Sequence, residues 1–363
     1  MNKDKYFAIG VMSGTSFDGI DISLIHSDGK KYFKPIKSSF YKYSQKIRNK
    51  LFQISKNFNK NQYGTGNLID IQSQISKAYI KSLKLFICRN RVKKLELICL
   101  HGQTIYHDSA KKISIQLCDG NLISKELKIK VIYNFRQNDL KHGGEGAPLV
   151  PIFHKMLSNS LELGGNKMFV NIGGVSNITF ISSKGLLVSY DAGPGMSLLD
   201  EYVFVKKKEN YDRNGSYSLK GRTSYKVLNK VLNDKYFKKN PPKSIDKFYF
   251  SLKPFMKLKF VDACSTITTF TAKAILNEVK KFKTDRILIM GGGVKNKYLI
   301  NILKKDLKLK LSSVNEFNFE NDFVESQAFA YLGIRRIKNL PISFPSTTGV
   351  SFPVTGGRII NYR

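Results

Sequence analysis

The apolar positions of this chain fall into short runs that stop at glycine, and the stops recur. Residues 6–12 are one apolar run, closed by Ser13-Gly14-Thr15-Ser16. Ile20-Asp21-Ile22-Ser23-Leu24-Ile25 follows with the alternation of a strand that has one buried face. A turn at Ser27-Asp28-Gly29 leads on to a basic strand. The order returns about 160 residues later: Met168-Phe169-Val170-Asn171-Ile172, a Gly173-Gly174 turn, Asn177-Ile178-Thr179-Phe180-Ile181, then Leu186 to Tyr190. Two strand–glycine turn–strand units at this separation predict two homologous halves, against the alternative of a chance likeness between Gly-rich hairpins.

Between the two units the period changes from two to 3.6. Leu68, Ile71, Ile75, Tyr79, Leu83 and Phe86 share one helical face, with Gln72, Gln74, Lys77, Lys81 and Lys84 elsewhere. Leu95 to Leu100 reads as a strand ending at His101-Gly102-Gln103-Thr104, where ligands usually sit in α/β sheets. Ile129 to Tyr133 is a second strand, ending at Asn134-Phe135-Arg136. Arg286 to Met290 is a buried strand that stops at Gly291-Gly292-Gly293. The stretch from Leu340 to Gly357 is loop-like and is expected to fold back on the first half. The chain is therefore predicted to be α/β, with no linker or low-complexity tract between its halves.

Composition narrows the class. At 363 residues the chain can bury a large core and is long enough for two domains. No apolar run reaches the ~18 residues of a membrane-spanning helix, and the start, Met1-Asn2-Lys3-Asp4-Lys5, lacks the apolar core of a secretory signal. A cytoplasmic protein with no membrane partner is expected. Cys88, Cys99, Cys118 and Cys264 show neither metal-binding nor redox spacing and read as small buried hydrophobes.

The formal net charge of +34 raises the question of a nucleic-acid partner, since residues 30–60 carry ten basic and no acidic side chains. Yet 50 lysines stand against 11 arginines, spread along the whole chain. A solvated basic surface with no specific nucleic acid is the expectation, and such a surface still favours anionic small molecules.

Two glycine-rich turns carry the candidate chemistry. Gly14-Thr15-Ser16 offers backbone N–H groups and hydroxyls that can cradle phosphate. Tyr190-Asp191-Ala192-Gly193-Pro194-Gly195 places one carboxylate on a crowded turn, either as a base or as the cap of a helix beginning near Gly195. His101 and Gln103 at a strand end are ligand contacts or structural residues, and Arg136 is an anion contact or a salt-bridge partner. A phosphate cradle and a base facing each other outline a phosphotransferase. His107, His142 and His154 have no assignable partners in sequence.

With these segments in order, the chain resembles the anhydro-N-acetylmuramic acid kinases of the sugar kinase, actin and Hsp70 superfamily, nearly end to end. The likeness lies in Gly10 to Ser16 with Asp18-Gly19 and Asp21, His101-Gly102-Gln103-Thr104, Phe135-Arg136 with Asp139, and Gly143 to Pro151. It continues in Asn171 to Gly174 with Asn177, Asp191 with Gly193-Pro194-Gly195, Gly291 to Gly293 with Asn296, Glu325, and Pro345 to Gly349. Three departures stand out: Met196 for an amide, Asn134 for an aspartate, and Ser244-Ile245-Asp246-Lys247-Phe248 for Ser-Thr-Gly-Arg-Glu.

The resemblance implies two homologous actin-like (RNase H-like) domains with an interdomain active-site cleft, residues 1–133 plus about 338–363 forming the first and 134–337 the second. It implies an ATP-dependent kinase that opens 1,6-anhydro-N-acetylmuramic acid with water and phosphorylates the 6-oxygen, in peptidoglycan recycling. Asp191 would be the catalytic base. ATP would lie on Gly14, Thr15, Ser16, Phe17, Asp18, Gly19, Ile20 and Asp21, on Asn171, Gly173 and Gly174, and on Gly291, Gly292, Gly293 and Asn296. His101, Gln103, Arg136 and Glu325 would contact the sugar. Mg2+ would arrive with the nucleotide, no dedicated metal site being expected, and the family implies a homodimer. Another sugar kinase of the superfamily, or a nucleotide-binding protein with weakened catalysis, is the alternative.

Overall fold

A computed structural model describes residues 4–58, 66–307, 309, 311–317 and 319–362. The chain divides into two compact units, Met1–Glu162 with Phe323–Arg363, and Leu163–Asp322. The far end of the basic stretch, residues 59–60, lies outside the described residues.

The first unit is a seven-stranded sheet. Its strands are β1 (Tyr6–Ser13), β2 (Gly19–Ser27), β3 (Phe33–Lys42), β4 (Leu97–Asp108), β5 (Ile113–Leu117), β6 (Lys130–Tyr133) and, from the C-terminus, β12 (Arg358–Ile360). Their order is β12-β6-β4-β1-β2-β3, with β5 paired to β4. β1, β2 and β3 form an antiparallel meander, while β4 and β6 run parallel to β1 and to each other in turn. The helices are α1 (Gln45–Lys56), α2 (Gly66–Arg89), α3 (Gly120–Leu127), α4 (Gln137–Lys141) and α5 (Pro151–Ser160). All six residues of the predicted face of α2 are buried, because a 3.6-residue period places them on one stripe against the sheet.

The second unit repeats the plan. β7 (Lys167–Ile172), β8 (Val175–Ile181), β9 (Leu187–Pro194), β10 (Arg286–Met290) and β11 (Leu311–Ser313) are ordered β11-β10-β7-β8-β9. β7, β8 and β9 are again an antiparallel meander, with β10 and β11 parallel. The helices are α6 (Ser197–Lys207), α7 (Ser216–Lys220), α8 (Tyr225–Leu232), α9 (Phe260–Val279) and α10 (Lys297–Asp306). The second unit runs third-second-first-fourth-fifth and the first third-second-first-fourth-sixth, β5 being an added hairpin on β4, so the paired glycine hairpins do mark a duplicated α/β plan.

The unit boundaries differ from those expected. Residues 134–162 and 323–337 belong to the first unit, not the second. The reason is α11 (Val324–Ile337), which packs so closely on β1 that a Cβ at Gly10 would lie 1.8 Å from the Ser326 carbonyl oxygen. The Ser23 and Ser326 hydroxyls meet at 2.6 Å beside that contact. The last residues fold back on the same unit: a bridge between Ser343 and Val354 flanks α12 (Pro345–Thr348), and β12 pairs antiparallel with β6.

Two strands run further than their sequences predicted. β4 continues through His101 to Asp108, because β5 supplies an antiparallel partner across an irregular register at Thr104–Tyr106. β9 continues through Asp191 to Pro194, opposite Val175 to Asn177. His101, Gln103 and Asp191 are consequently buried strand residues and not exposed turn residues.

Candidate active-site residues

In the first unit the loop after β1 is held from beneath. The buried Ser13 hydroxyl accepts from the Tyr79 hydroxyl at 2.9 Å and lies 3.0 Å from that of Tyr43. Gln103 Nε2 donates to the Gly14 carbonyl at 3.0 Å, so Gln103 braces the loop. The Gln103 Oε1 atom is buried and accepts no hydrogen bond in the structure. A Cβ at Gly14 would meet only Ser16 Oγ, at 3.5 Å, which leaves the space above the loop open to a ligand.

The remaining loop residues divide. Phe17 and Ile20 point into the core, so their side chains are not nucleotide contacts as the resemblance implied; only their backbones could be. Phe17 takes φ +58°, unusual for a bulky residue, and its buried ring holds it there. Asp18 is exposed on the turn and accepts from Ser16 Oγ at 2.7 Å, while Asp21 is half-buried within β2 opposite Met12. Gly19 is required by packing, since a Cβ there would lie 2.4 Å from the Tyr41 carbonyl oxygen.

The structure brings His101 and Arg136 together. His101 Nδ1 donates to the Gly102 carbonyl at 2.8 Å, which leaves Nε2 as an acceptor. Arg136 donates to Nε2 from Nε at 3.2 Å and from Nη2 at 2.8 Å, and from Nη1 to the Gly146 carbonyl at 2.7 Å. Burial, and then the guanidinium, hold His101 well below the ordinary histidine range, so it is neutral. The guanidinium edge expected to clamp a carboxylate is thus turned on an imidazole. Glu325 lies half-buried in the first turn of α11, and two residues on the buried Gln327 Oε1 has no hydrogen-bond partner.

Asp139 organises the loop that Arg136 touches. Its carboxylate accepts from the Gly146 N–H at 2.6 Å and from Thr348 Oγ1 at 2.5 Å, and a Cβ at Gly144 would fall 2.1 Å from Oδ1. Sequence reasoning gave Asp139 no role, because its partner Thr348 is 209 residues away. Of the departures, Asn134 sits at φ +61°, a region where Asn is among the tolerated residues.

In the second unit Asp191 is 6% exposed. Its N–H donates to the Lys243 carbonyl at 3.0 Å, its carbonyl accepts from the Tyr236 hydroxyl at 2.7 Å, and its Oδ2 accepts from the Ile245 N–H at 2.9 Å. The helix-cap alternative falls: α6 starts at Ser197 after Met196 and has no side-chain cap. The altered segment 244–248 therefore contributes the N–H that fixes the candidate base. In the same segment, burial pushes the Lys247 ammonium down to about 7 against the opposing pull of Asp246 and Glu201.

The Gly173-Gly174 hairpin packs against the chain after β9. The Gly173 carbonyl accepts from the Met196 N–H at 2.8 Å and the Gly174 carbonyl from the Gly195 N–H at 3.1 Å. A Cβ at Gly195 would lie 2.2 Å from the Gly173 oxygen. Met196 thus serves as a packing residue between two apolar clusters.

A second group forms at the end of β10. Gly291 has φ +85°, and its Cβ position lies 2.5 Å from Asn171 Oδ1. Gly293 packs on Ile172, whereas a Cβ at Gly292 would meet nothing within 4 Å. Asn296 caps α10 by accepting from the Leu299 N–H at 3.0 Å, and its Nδ2 is buried without a partner. Gly215, not noticed in sequence, approaches Asn296 Oδ1 to 2.3 Å from its Cβ position. Among the described residues no three His, Cys, Asp or Glu side chains gather closely enough to hold a metal ion.

A family model for anhydro-N-acetylmuramic acid kinase matches residues 6–362. The anhydro-N-acetylmuramic acid kinase of Pelagibacter ubique is 38% identical over 98% of this chain and 99% of its own. That of Methylobacterium nodulans is 35% identical over 96% and 98%. Among solved structures, component A of the (R)-2-hydroxyglutaryl-CoA dehydratase of Acidaminococcus fermentans aligns over 91% of this chain and 99% of its own, at 9% identity and a TM-score of 0.45.

Proposed function

Because the chain belongs to the anhydro-N-acetylmuramic acid kinase family, it is an ATP-using phosphotransferase acting on a small sugar, and we propose that Asp191 is the base of its reaction. The reaction opens 1,6-anhydro-N-acetylmuramic acid and yields N-acetylmuramic acid 6-phosphate, a step of peptidoglycan recycling. Asp191 takes a proton from water as the water oxygen bonds to the anomeric carbon. The bond from that carbon to the 6-oxygen breaks, and the 6-oxygen accepts the terminal phosphoryl group of ATP. The observation that carries this reading is the fixed Asp191 carboxylate, with one oxygen held by the Ile245 N–H. A hydrogen bond from a backbone N–H to one oxygen orients the carboxylate.

The buried, unpartnered Asn296 Nδ2 and the open face of Gly292 fit a nucleotide that supplies an acceptor and approaches the backbone closely. Gly14, Thr15 and Ser16 would hold phosphate oxygens, and Mg2+ would enter on the nucleotide. His101, held neutral by Arg136, would orient the sugar together with Gln103 and Glu325. We take the chain to act as a cytoplasmic homodimer, the form that the family implies. Among the described residues no helix is long and apolar enough to cross a membrane.

The test is ADP release with the anhydro-sugar against glucose, N-acetylglucosamine and buffer, run in isotopically labelled water. ADP release with the anhydro-sugar alone, and label at the anomeric carbon of the product, are expected. Asp191→Asn should lose at least about a hundredfold in kcat while still binding nucleotide, the usual weight of a general base. Turnover by Asp191→Asn above about a tenth of the original rate would remove Asp191 from the role.

A further inference from the structure

We infer that the buried Lys243–Glu278 pair is the positioning device of Asp191, an inference that rests on Asp191 being the base. Lys243 Nζ lies 2.9 Å from Glu278 Oε1, with the two side chains 2% and 1% exposed. Glu278, on α9, accepts from the Tyr190 hydroxyl at 2.9 Å and from Lys281 Nζ at 2.7 Å through its other oxygen. One carboxylate therefore grips both sides of the candidate base. On one side it holds Tyr190, the residue preceding Asp191. On the other it holds Lys243, whose carbonyl accepts the Asp191 N–H and which lies two residues before the Ile245 donor.

Tyr236 closes the frame. Its hydroxyl donates to the Asp191 carbonyl at 2.7 Å, and Lys243 Nζ lies 4.8 Å from its ring centroid, within cation–π range.

The position of Asp191 in the sheet shows why such a frame is needed. Among the described strands β9 pairs with β8 alone, and its other side is joined outside any ladder, by the Asp191 N–H to the Lys243 carbonyl. On that side the segment 243–245 is the neighbour, and that segment has no regular structure of its own. Nothing in the sheet ladder fixes its distance from β9. The buried ion pair does so, because a charge taken from water must stay with its partner. Burial draws the Lys243 ammonium below its ordinary value, and the Glu278 carboxylate opposes that shift. A pair of this kind adds little net stability compared with apolar side chains of similar volume, but it has one geometry. The Ile245 N–H is thereby held at the Asp191 carboxylate, and a displacement of about 1 Å at a reacting group can cost a hundredfold in rate.

The paired variant Lys243→Met with Glu278→Leu tests this. It removes both charges and retains volume but leaves the buried Tyr190 hydroxyl without its acceptor, so the protein is expected to fold with a Tm lowered by a few degrees. Turnover is counted per folded site, with sites titrated calorimetrically by an ATP analogue. The expected result is a kcat reduced about ten- to a hundredfold, with KM for ATP and for sugar each within about threefold. A purely structural pair would leave kcat per folded site unchanged, and that outcome overturns the inference. Should the paired variant fail to fold, Glu278→Gln, which keeps the shape but removes the charge and replaces one accepting oxygen by an amide that can only donate, is read by the same measures and decides between them. Asp191→Asn is the control: if it retains activity, the base assignment itself fails; if it is inactive while the paired variant is unimpaired, only the positioning role fails.

Discussion

Arg136 shows how a residue can be found in sequence and its immediate partner missed. An arginine after a strand in a chain expected to bind a carboxylated sugar reads as a bidentate clamp. In the fold its guanidinium spans the neutral His101 and the Gly146 carbonyl, and so joins β4 to the 143–149 loop. Arg136→Lys keeps the charge but cannot make both contacts. Loss of one charge-assisted bond is worth about 1.5–3 kcal/mol, so sugar affinity should fall about ten- to a hundredfold while nucleotide affinity stays unchanged. Calorimetric titration of each ligand separates the two; equal losses for both would show a general disruption of the unit.

At the scale of elements, glycine hairpins were legible and strand ends were not. The runs around Gly14 and Gly173 announce meanders because apolar alternation and a glycine stop occur together. The continuations of β4 and β9 depend on β5 and on register with β8, which no local pattern contains. Gly291 is an element-scale case with a measurable consequence. Its left-handed φ, and the 2.5 Å and 2.7 Å at which a Cβ would meet Asn171 Oδ1 and the Ile172 carbonyl oxygen, leave no room for a methyl group. Gly291→Ala should displace the turn after β10, cost about 1–3 kcal/mol of stability and weaken nucleotide binding at least tenfold. Thermal melts and nucleotide titration check both, and an alanine variant with original nucleotide affinity would argue that the turn lies off the nucleotide.

For the whole molecule the dominant quantity is charge. At +34 the chain carries a self-repulsion that opposes compactness wherever lysines are not paired. Described pairs such as Lys84–Glu126 and Lys295–Asp322 are largely exposed and contribute little. Stability should therefore rise with ionic strength: moving from about 20 mM to about 300 mM sodium chloride shortens the screening length from roughly 20 Å to under 10 Å, and Tm should increase by several degrees. A Tm that falls with salt would mean that the exposed ion pairs outweigh the repulsion.

Sequence alone determined the duplicated α/β plan, the buried face of α2, the glycine turns and Asp191 as the distinctive carboxylate, because each is written in local periodicity or in a short motif. It did not determine where the units divide, since α11 joins the first unit only through its packing on β1. Nor did it determine what holds the candidate base. Asp191 is fixed by Ile245, Lys243 and Tyr236, and beyond them by Glu278, residues 45 to 87 positions further along the chain. Hydrogen bonds and buried charge act over about 3 Å in space, and only the folding of the chain chooses which distant residues come within that reach.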